Sequence, residues 1–122
     1  MHSQVSDLVG LPYKLKGRDE SGLDCFGLIW LIAKRNKTPI KDPVYKGFDP
    51  SLVSLAEHIG LIKIDNFETG CVLEIEKEGR LHLGYSLDTE RMIHSTHNEG
   101  VIIEEIVKYN VKGYFKFNTE EL

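Results

Sequence analysis

Asp24-Cys25-Phe26-Gly27-Leu28-Ile29-Trp30-Leu31-Ile32-Ala33-Lys34-Arg35 is the most apolar stretch of this 122-residue chain. Its length, its Leu and Ala content and the basic pair at its end predict a helix buried on most sides, with Asp24 as N-cap. A buried strand is the competing reading of such a run, but Lys34 and Arg35 stand where a helix dipole favours positive charge. Upstream, Ser3 to Val9 reads as a short helix ended by Gly10, and Lys16-Gly17-Arg18-Asp19-Glu20-Ser21-Gly22 as a polar loop. Downstream, Pro39 and Pro43 among many lysines mark an irregular surface excursion from Asn36 to Asp49. Asp49-Pro50 then starts a second helix, which Gly60 stops.

Beyond Gly70 the pattern changes. Cys71 to Glu76, Leu81 to Leu87, Arg91 to Thr96, Val101 to Ile106 and Gly113 to Phe117 are short, often alternating, and parted by turn residues. These segments predict strands, arranged as a meander. Helices first and hairpin-linked strands last predict one α+β domain over residues 1–122, with helices packed on an antiparallel sheet of about five strands.

Composition narrows the function classes. A chain with 41% hydrophobic and 28% charged residues can bury a single core. Fifteen Lys and Arg against 19 Asp and Glu leave a net charge of −4, which lacks the basic footprint of nucleic-acid binding. The apolar run from Cys25 to Ala33 falls far short of the roughly 20 residues that span a bilayer, so no membrane insertion is expected. The opening Met1-His2-Ser3-Gln4-Val5-Ser6-Asp7 has no basic patch followed by an apolar run, so synthesis in the cytoplasm without a signal peptide is expected. Two cysteines do not make a disulfide framework.

Chemistry concentrates in two places. Cys25 stands at the mouth of the apolar helix, where unsatisfied N–H groups and the positive end of the dipole favour thiolate and stabilise an oxyanion. Read alone, a lone cysteine is more simply a small buried hydrophobe. The second place is the pair of segments Leu81 to Leu87 and Arg91 to Ser95, which flank a turn near Asp88-Thr89-Glu90. A turn centred on Asp88 sets His82 opposite His94, one centred on Thr89 makes them diagonal neighbours, and an even-numbered loop parts them to opposite faces. On one face, His82 can act as general base and His94 as the residue that orients it. Two unrelated polar residues on a solvent face fit equally well. A zinc site from His94, His97 and a cysteine is the weaker competitor, lacking a close cysteine pair and an evident fourth ligand.

The order of these residues resembles a known family. Gly10-Leu11-Pro12-Tyr13, the loop Gly17-Arg18-Asp19 to Gly22, and Asp24-Cys25-Phe26-Gly27-Leu28 are similar to the opening of the NlpC-type peptidoglycan endopeptidases, which are papain-like cysteine peptidases. His82-Leu83-Gly84 and Ile93-His94-Ser95 match its second half, with twelve positions from His82 to His94 and twelve from Tyr13 to Cys25. Gly113-Tyr114-Phe115-Lys116 looks like the last strand of its phage members. Phe26 after the cysteine and the preceding Gly17-Arg18-Asp19 resemble the phage-tail and prophage branch most.

The resemblance implies a papain-like fold with Cys25 as nucleophile, His82 as general base and His94 as the orienting third residue. Tyr13 would help position or stabilise the reacting carbonyl, and Asp24 would contact the substrate's free amine. The implied activity is hydrolysis of the D-γ-glutamyl–diamino-acid bond of stem peptides, with no metal or cofactor. Phage tail-tip proteins are the expected partners, and a virion tail or tail-like particle the expected location. A tail-tip structural component with weak or lost activity is the alternative, and a papain-like acyltransferase acting on lipids a third. The chain departs from the family pattern at Gly70-Cys71, where Gly-Asp is common, and at Lys16-Gly17, where a glycine pair is common. Cys71 reads as core filler. Phe26 and Trp30 read as packing, His97 as a turn residue, and Lys34 to Lys46 as a solvated face. Glu120-Glu121-Leu122 reads as a loose tail, and His2 and His58 receive no role.

Overall fold

The computed structural model describes residues 5–38, 40 and 60–117. The apolar stretch forms helix α1, Cys25–Arg35, with Asp24 at its N-cap and Lys34 and Arg35 in its last turn. Phe26, Leu28, Ile29, Leu31, Ile32 and Ala33 are all buried. Each fully buried Leu or Ile contributes about 1.5–3 kcal/mol, so packing holds a helix whose Gly27 and isoleucines are only modest helix formers. Arg35 closes the far end by donating from both Nη atoms to the two Asp7 oxygens, each at 2.9 Å.

Asp7 belongs to a 3-10 turn, Ser6–Leu8, which is all that the described part of the expected Ser3-to-Val9 helix forms. So short a segment, flanked by β-branched Val5 and Val9, cannot repay the cost of nucleating an α-helix. The second expected helix, from Asp49 to Gly60, lies outside the described residues except for Gly60 itself, as do most of the lysine-rich excursion, His2, His58 and the acidic end.

A small hairpin, β1 (Arg18–Asp19) and β2 (Gly22–Leu23), precedes α1. The main sheet contains β3 (Ile62–Ile64), β4 (Val72–Lys77), β5 (Arg80–Ser86), β6 (Arg91–Thr96), β7 (Gly100–Glu105) and β8 (Asn110–Lys116). All its pairings are antiparallel, in the order β3-β8-β4-β5-β6-β7. The α+β class is as expected, and five of these strands coincide with the expected segments to within a few residues.

Two features differ. The sheet has a sixth strand, β3, and the meander covers only β4 to β7. After a 3-10 turn at Ile106–Lys108, β8 returns to pair with β4. The reason lies in β4, where Val72, Leu73, Glu74 and Ile75 are buried in succession. A strand buried on both faces belongs in the middle of a sheet, and β8 supplies its second neighbour.

Side-chain alternation divides the core in two. Val72, Leu83, Tyr85, Ile93 and Phe115 pack with α1 on one face, and Cys71, Leu73, Ile75 and Met92 form a second cluster with Phe67, Tyr109 and Tyr114 packed against it.

The loop before α1 is clamped to the helix through Asp24, which is 2% exposed. Its Oδ1 accepts from Gly27 N–H at 2.7 Å and from Arg18 Nη1 at 3.1 Å, and its Oδ2 accepts from Lys16 N–H at 2.9 Å. Asp24→Ala is expected to lower unfolding free energy by about 2 kcal/mol, because it removes the cap and strips a partner from a largely buried guanidinium. Urea denaturation measures this, and an unchanged midpoint would contradict the clamp.

Candidate active site

The segment Gly10 to Tyr13 is pinned against β7. Gly10 N–H donates to Val101 O and Val101 N–H to Leu11 O, both at 2.9 Å. The approach is so close that a Cβ on Gly100 would stand 2.3 Å from Leu11 O, which only glycine avoids. On the other side, Leu23 N–H donates to Pro12 O at 3.0 Å, and the Ser95 hydroxyl donates to Leu23 O at 2.5 Å. Tyr13, Cys25 and β6 are thereby held around one opening. The result is a cavity of about 510 Å³ lined by Tyr13, Cys25, Lys77, Glu78, Arg80, Leu81, His82, Ser95 and His97.

The hairpin between β5 and β6 pairs Tyr85 with Ile93 and Ser86 with Met92, so its turn is centred on Thr89. Asp88 sets that centre by accepting from Glu90 N–H at 2.9 Å and Arg91 N–H at 2.8 Å. His82 and His94 are therefore diagonal neighbours on one face. Their rings meet edge to face with centroids 5.1 Å apart, and His82 Nε2 lies 2.9 Å from His94 Nδ1. His94 is fully buried, and its Nε2 lies 2.6 Å from Glu104 Oε1. The Tyr109 hydroxyl donates to the same Glu104 oxygen, also at 2.6 Å.

Sequence reasoning missed Glu104 and Tyr109. The parity argument that paired His82 with His94 would have found Glu104 had it been applied to the next hairpin. There Met92 pairs with Glu104 and His94 with Ile102, which makes Glu104 the diagonal neighbour of His94.

Cys25 is half-buried, packs against the helix-side cluster and faces the cavity. Burial pushes its thiol up to about 12, and the Asp24 charge adds to this; backbone groups of Leu83, Phe26 and Cys25 itself act in the opposite direction without overcoming it. The resting thiol is therefore neutral, contrary to the expectation that the helix end would favour thiolate. Burial, and then the neighbouring His94 and Lys77, bring His82 down to about 3. Burial also lowers His94, although Glu104 pulls the other way. Glu104 itself stays below the usual carboxyl range: burial raises it, but the hydrogen bonds from Tyr109 and His94 prevail. Burial, and then the Asp24 charge, raise Tyr13, which keeps its proton.

These shifts set a pH window for stability. His82 is lowered on folding, so between pH 6.5 and about 3 the unfolded chain binds the additional proton and stability falls as the pH falls. Cys25 is raised, so between pH 9.0 and about 12 the unfolded chain releases its proton first and stability falls as the pH rises. Melting temperatures are thus expected to be highest between these limits, with a shallower acid limb in His82→Ala. An equally steep acid limb in that variant would contradict the assignment.

The structure brings Tyr13, Cys25 and His82 to one cavity, with His94 behind His82. Cys25 and His82 approach it from different sides of the sheet: Leu81 and Leu83, the chain neighbours of His82, pack with Cys25 on the helix side, whereas His82 and His94 share the other face, where the His94 ring lies against Tyr109. Among the described residues no hydrogen bond joins the sulfur to either histidine. Asp24 is not among the lining residues. The three hydrogen bonds that its oxygens accept make it the anchor of the helix that carries the sulfur. His97, read as a turn residue, lines the cavity with its ring 5.2 Å from that of Tyr13. Among the described residues, no three His, Cys, Asp or Glu side chains are grouped as metal ligands would be.

Comparison with known proteins bears on the family and the fold. The model of the NlpC/P60 family matches residues 10–118. No curated protein sequence matches significantly. Among solved structures, the NlpC/p60 domain of the peptidoglycan hydrolase SagA superimposes with a TM-score of 0.63 at 19% identity, over 91% of each chain. An NlpC/P60 family protein from Bacillus cereus ATCC 10987 gives 0.66 at 22% identity, over 90% of this chain and 36% of its own. NlpC2 from Trichomonas vaginalis gives 0.67 at 16% identity, over 93% and 44%. This chain thus spans less than half of either of the last two proteins, and at these identities the likeness is one of fold.

Proposed function

This chain belongs to the NlpC/P60 family, and we propose that it is a cysteine peptidase that hydrolyses peptidoglycan stem peptides. The observation that carries the reading is the single cavity lined by both Cys25 and His82, with His94 2.9 Å behind the imidazole. Because thiol and imidazole are both neutral at rest, His82 takes the Cys25 proton as sulfur attacks the amide carbonyl. Hydrogen bonds of this kind tighten when substrate fills an apo site. N–H groups at the start of α1 and the protonated Tyr13 hydroxyl support the oxyanion. Protonated His82 then donates to the leaving amine, and water hydrolyses the thioester.

The finer reading assigns the D-γ-glutamyl–diamino-acid bond as the one cleaved. It also puts the chain on a phage tail, among tail-tip proteins, opening the host wall from outside after synthesis in the host cytoplasm. What supports the tail setting is the resemblance of Gly17-Arg18-Asp19 and Phe26 to the phage branch. One observation favours a second reading, a tail component with weak or lost activity: the thiol is neutral and has no hydrogen bond to His82 among the described residues. Incubating the chain with defined stem peptides and identifying products by mass spectrometry separates the two. Fragments ending at the γ-glutamyl carbonyl are expected, and no product from any stem peptide would leave only the structural reading.

A further inference from the structure

We propose that Glu104 is a positioning residue that fixes the tautomers of both histidines, through a one-way line of donors running from His82 to His94 to Glu104. The proposal rests on the reading above that His82 is the base, and it concerns which of its two ring nitrogens is free to act.

The line follows from what each group can donate. Oε1 of Glu104 takes the Tyr109 O–H and faces His94 Nε2, both at 2.6 Å. Lys108 Nζ lies 3.7 Å from its other oxygen. Its carboxyl is held below the usual range, so it is ionised at neutral pH and can only accept. His94 Nε2 must therefore carry a proton. His94 is fully buried and its pKa is lowered, so the ring is neutral and Nδ1 holds a lone pair. That lone pair faces His82 Nε2 at 2.9 Å, which must in turn be the donor. His82 is neutral too, so its proton is spent on Nε2 and Nδ1 is bare.

Without the carboxylate the line has no fixed direction. His94 can then hold its proton on Nδ1 and donate to His82 Nε2, which drives the His82 proton onto Nδ1. The hydrogen bond between the two rings survives the reversal, yet the nitrogen left for the thiol's proton is already occupied. Glu104 breaks this near-symmetry from outside: it stands on edge strand β7 with its side chain 19% exposed, where it can stay ionised, and presents its charge to the buried His94 and the half-buried His82 beyond it. Tyr109 aims the carboxylate by holding the same oxygen.

Ring nitrogen chemical shifts of the full chain labelled with ¹⁵N-histidine test this, since the two neutral tautomers have distinct spectra. In the wild-type chain at neutral pH both His82 and His94 are expected as Nε2–H tautomers. In Glu104→Ala, part or all of the His82 population is expected to move to Nδ1–H. The kcat for stem-peptide cleavage should then fall at least about tenfold with KM little changed, the pattern of a lost orienting partner. A wild-type His82 with its proton on Nδ1 overturns the proposal, whether or not Glu104→Ala folds. So does a folded Glu104→Ala in which both rings remain Nε2–H. The tautomers are read without substrate, so a chain that has them as expected and cleaves nothing refutes the hydrolase reading and leaves this one standing.

Discussion

A Cys25→Ala chain is expected to fold as its parent does and to lose stem-peptide cleavage, by at least about 10⁴-fold in kcat. The fold should survive because Cys25 is only half-buried at the first position of α1 and borders a cavity, so removing its sulfur costs about 1 kcal/mol of packing. Activity should not survive, because no other group on the cavity wall offers a comparable nucleophile. Cys71 is the natural comparison: it is 2% exposed, belongs to the second core cluster and lies 3.7 Å from the Ser86 hydroxyl. Cys71→Ala should therefore change the melting temperature and leave turnover alone. Rapid quenching during turnover, followed by intact-mass analysis, should find the acyl adduct on Cys25. Cleavage that persists in Cys25→Ala and disappears in a folded Cys71→Ala would move the nucleophile to the other thiol.

His82→Ala should fall with Cys25→Ala. A thiol pushed up to about 12 offers almost no preformed thiolate at neutral pH, so the reaction depends on a base to take its proton during attack. An ion pair formed in advance would weaken that dependence.

What could be read from the sequence was largely what is encoded locally. The cap at Asp24, the apolar run and the basic pair at Lys34 and Arg35 are adjacent in the chain, and each points to the same helix. The strands from Val72 onward announced themselves by alternation and turn residues. The partner of β8 did not, because a strand carries no local mark of which edge it will join. Its place beside β4 depends on Val72 to Ile75 being covered on both faces, a tertiary fact. β3 has only three residues, too few for a period-2 signal. Within the site, the spacing of His82 and His94 allowed their contact and left the turn open, and Asp88 then chose the version centred on Thr89. The resting state of the thiol differs from the expectation for a related reason: the helix end is visible in the sequence, whereas the burial that outweighs it is not.

Gly27→Ala is expected to cost roughly 3–5 kcal/mol and to disable the site as well, although a propensity argument has the opposite sign. In a helix interior alanine is favoured over glycine by about 1 kcal/mol. Here, however, a Cβ on residue 27 would stand 1.9 Å from Gly17 O and 3.1 Å from Arg18 Nη1. The nearer of these is a backbone atom and cannot swing aside as a side chain can. The loop that carries it is held by Gly17 N–H to Lys14 O at 2.8 Å, by Lys16 N–H to Asp24 at 2.9 Å, and by the β1–β2 pairing. Relief therefore requires either the loop to open, which undoes the Asp24 clamp, or α1 to withdraw, which carries Cys25 away from Tyr13. Either movement spends several hydrogen bonds on a single methyl group. Urea denaturation and cleavage assays on the same preparation should show both losses together. A Gly27→Ala chain as stable as the parent would mean that the loop and the helix do not approach this closely. The Arg18–Asp24 contact, which depends on the same approach, would then lose its structural basis as well.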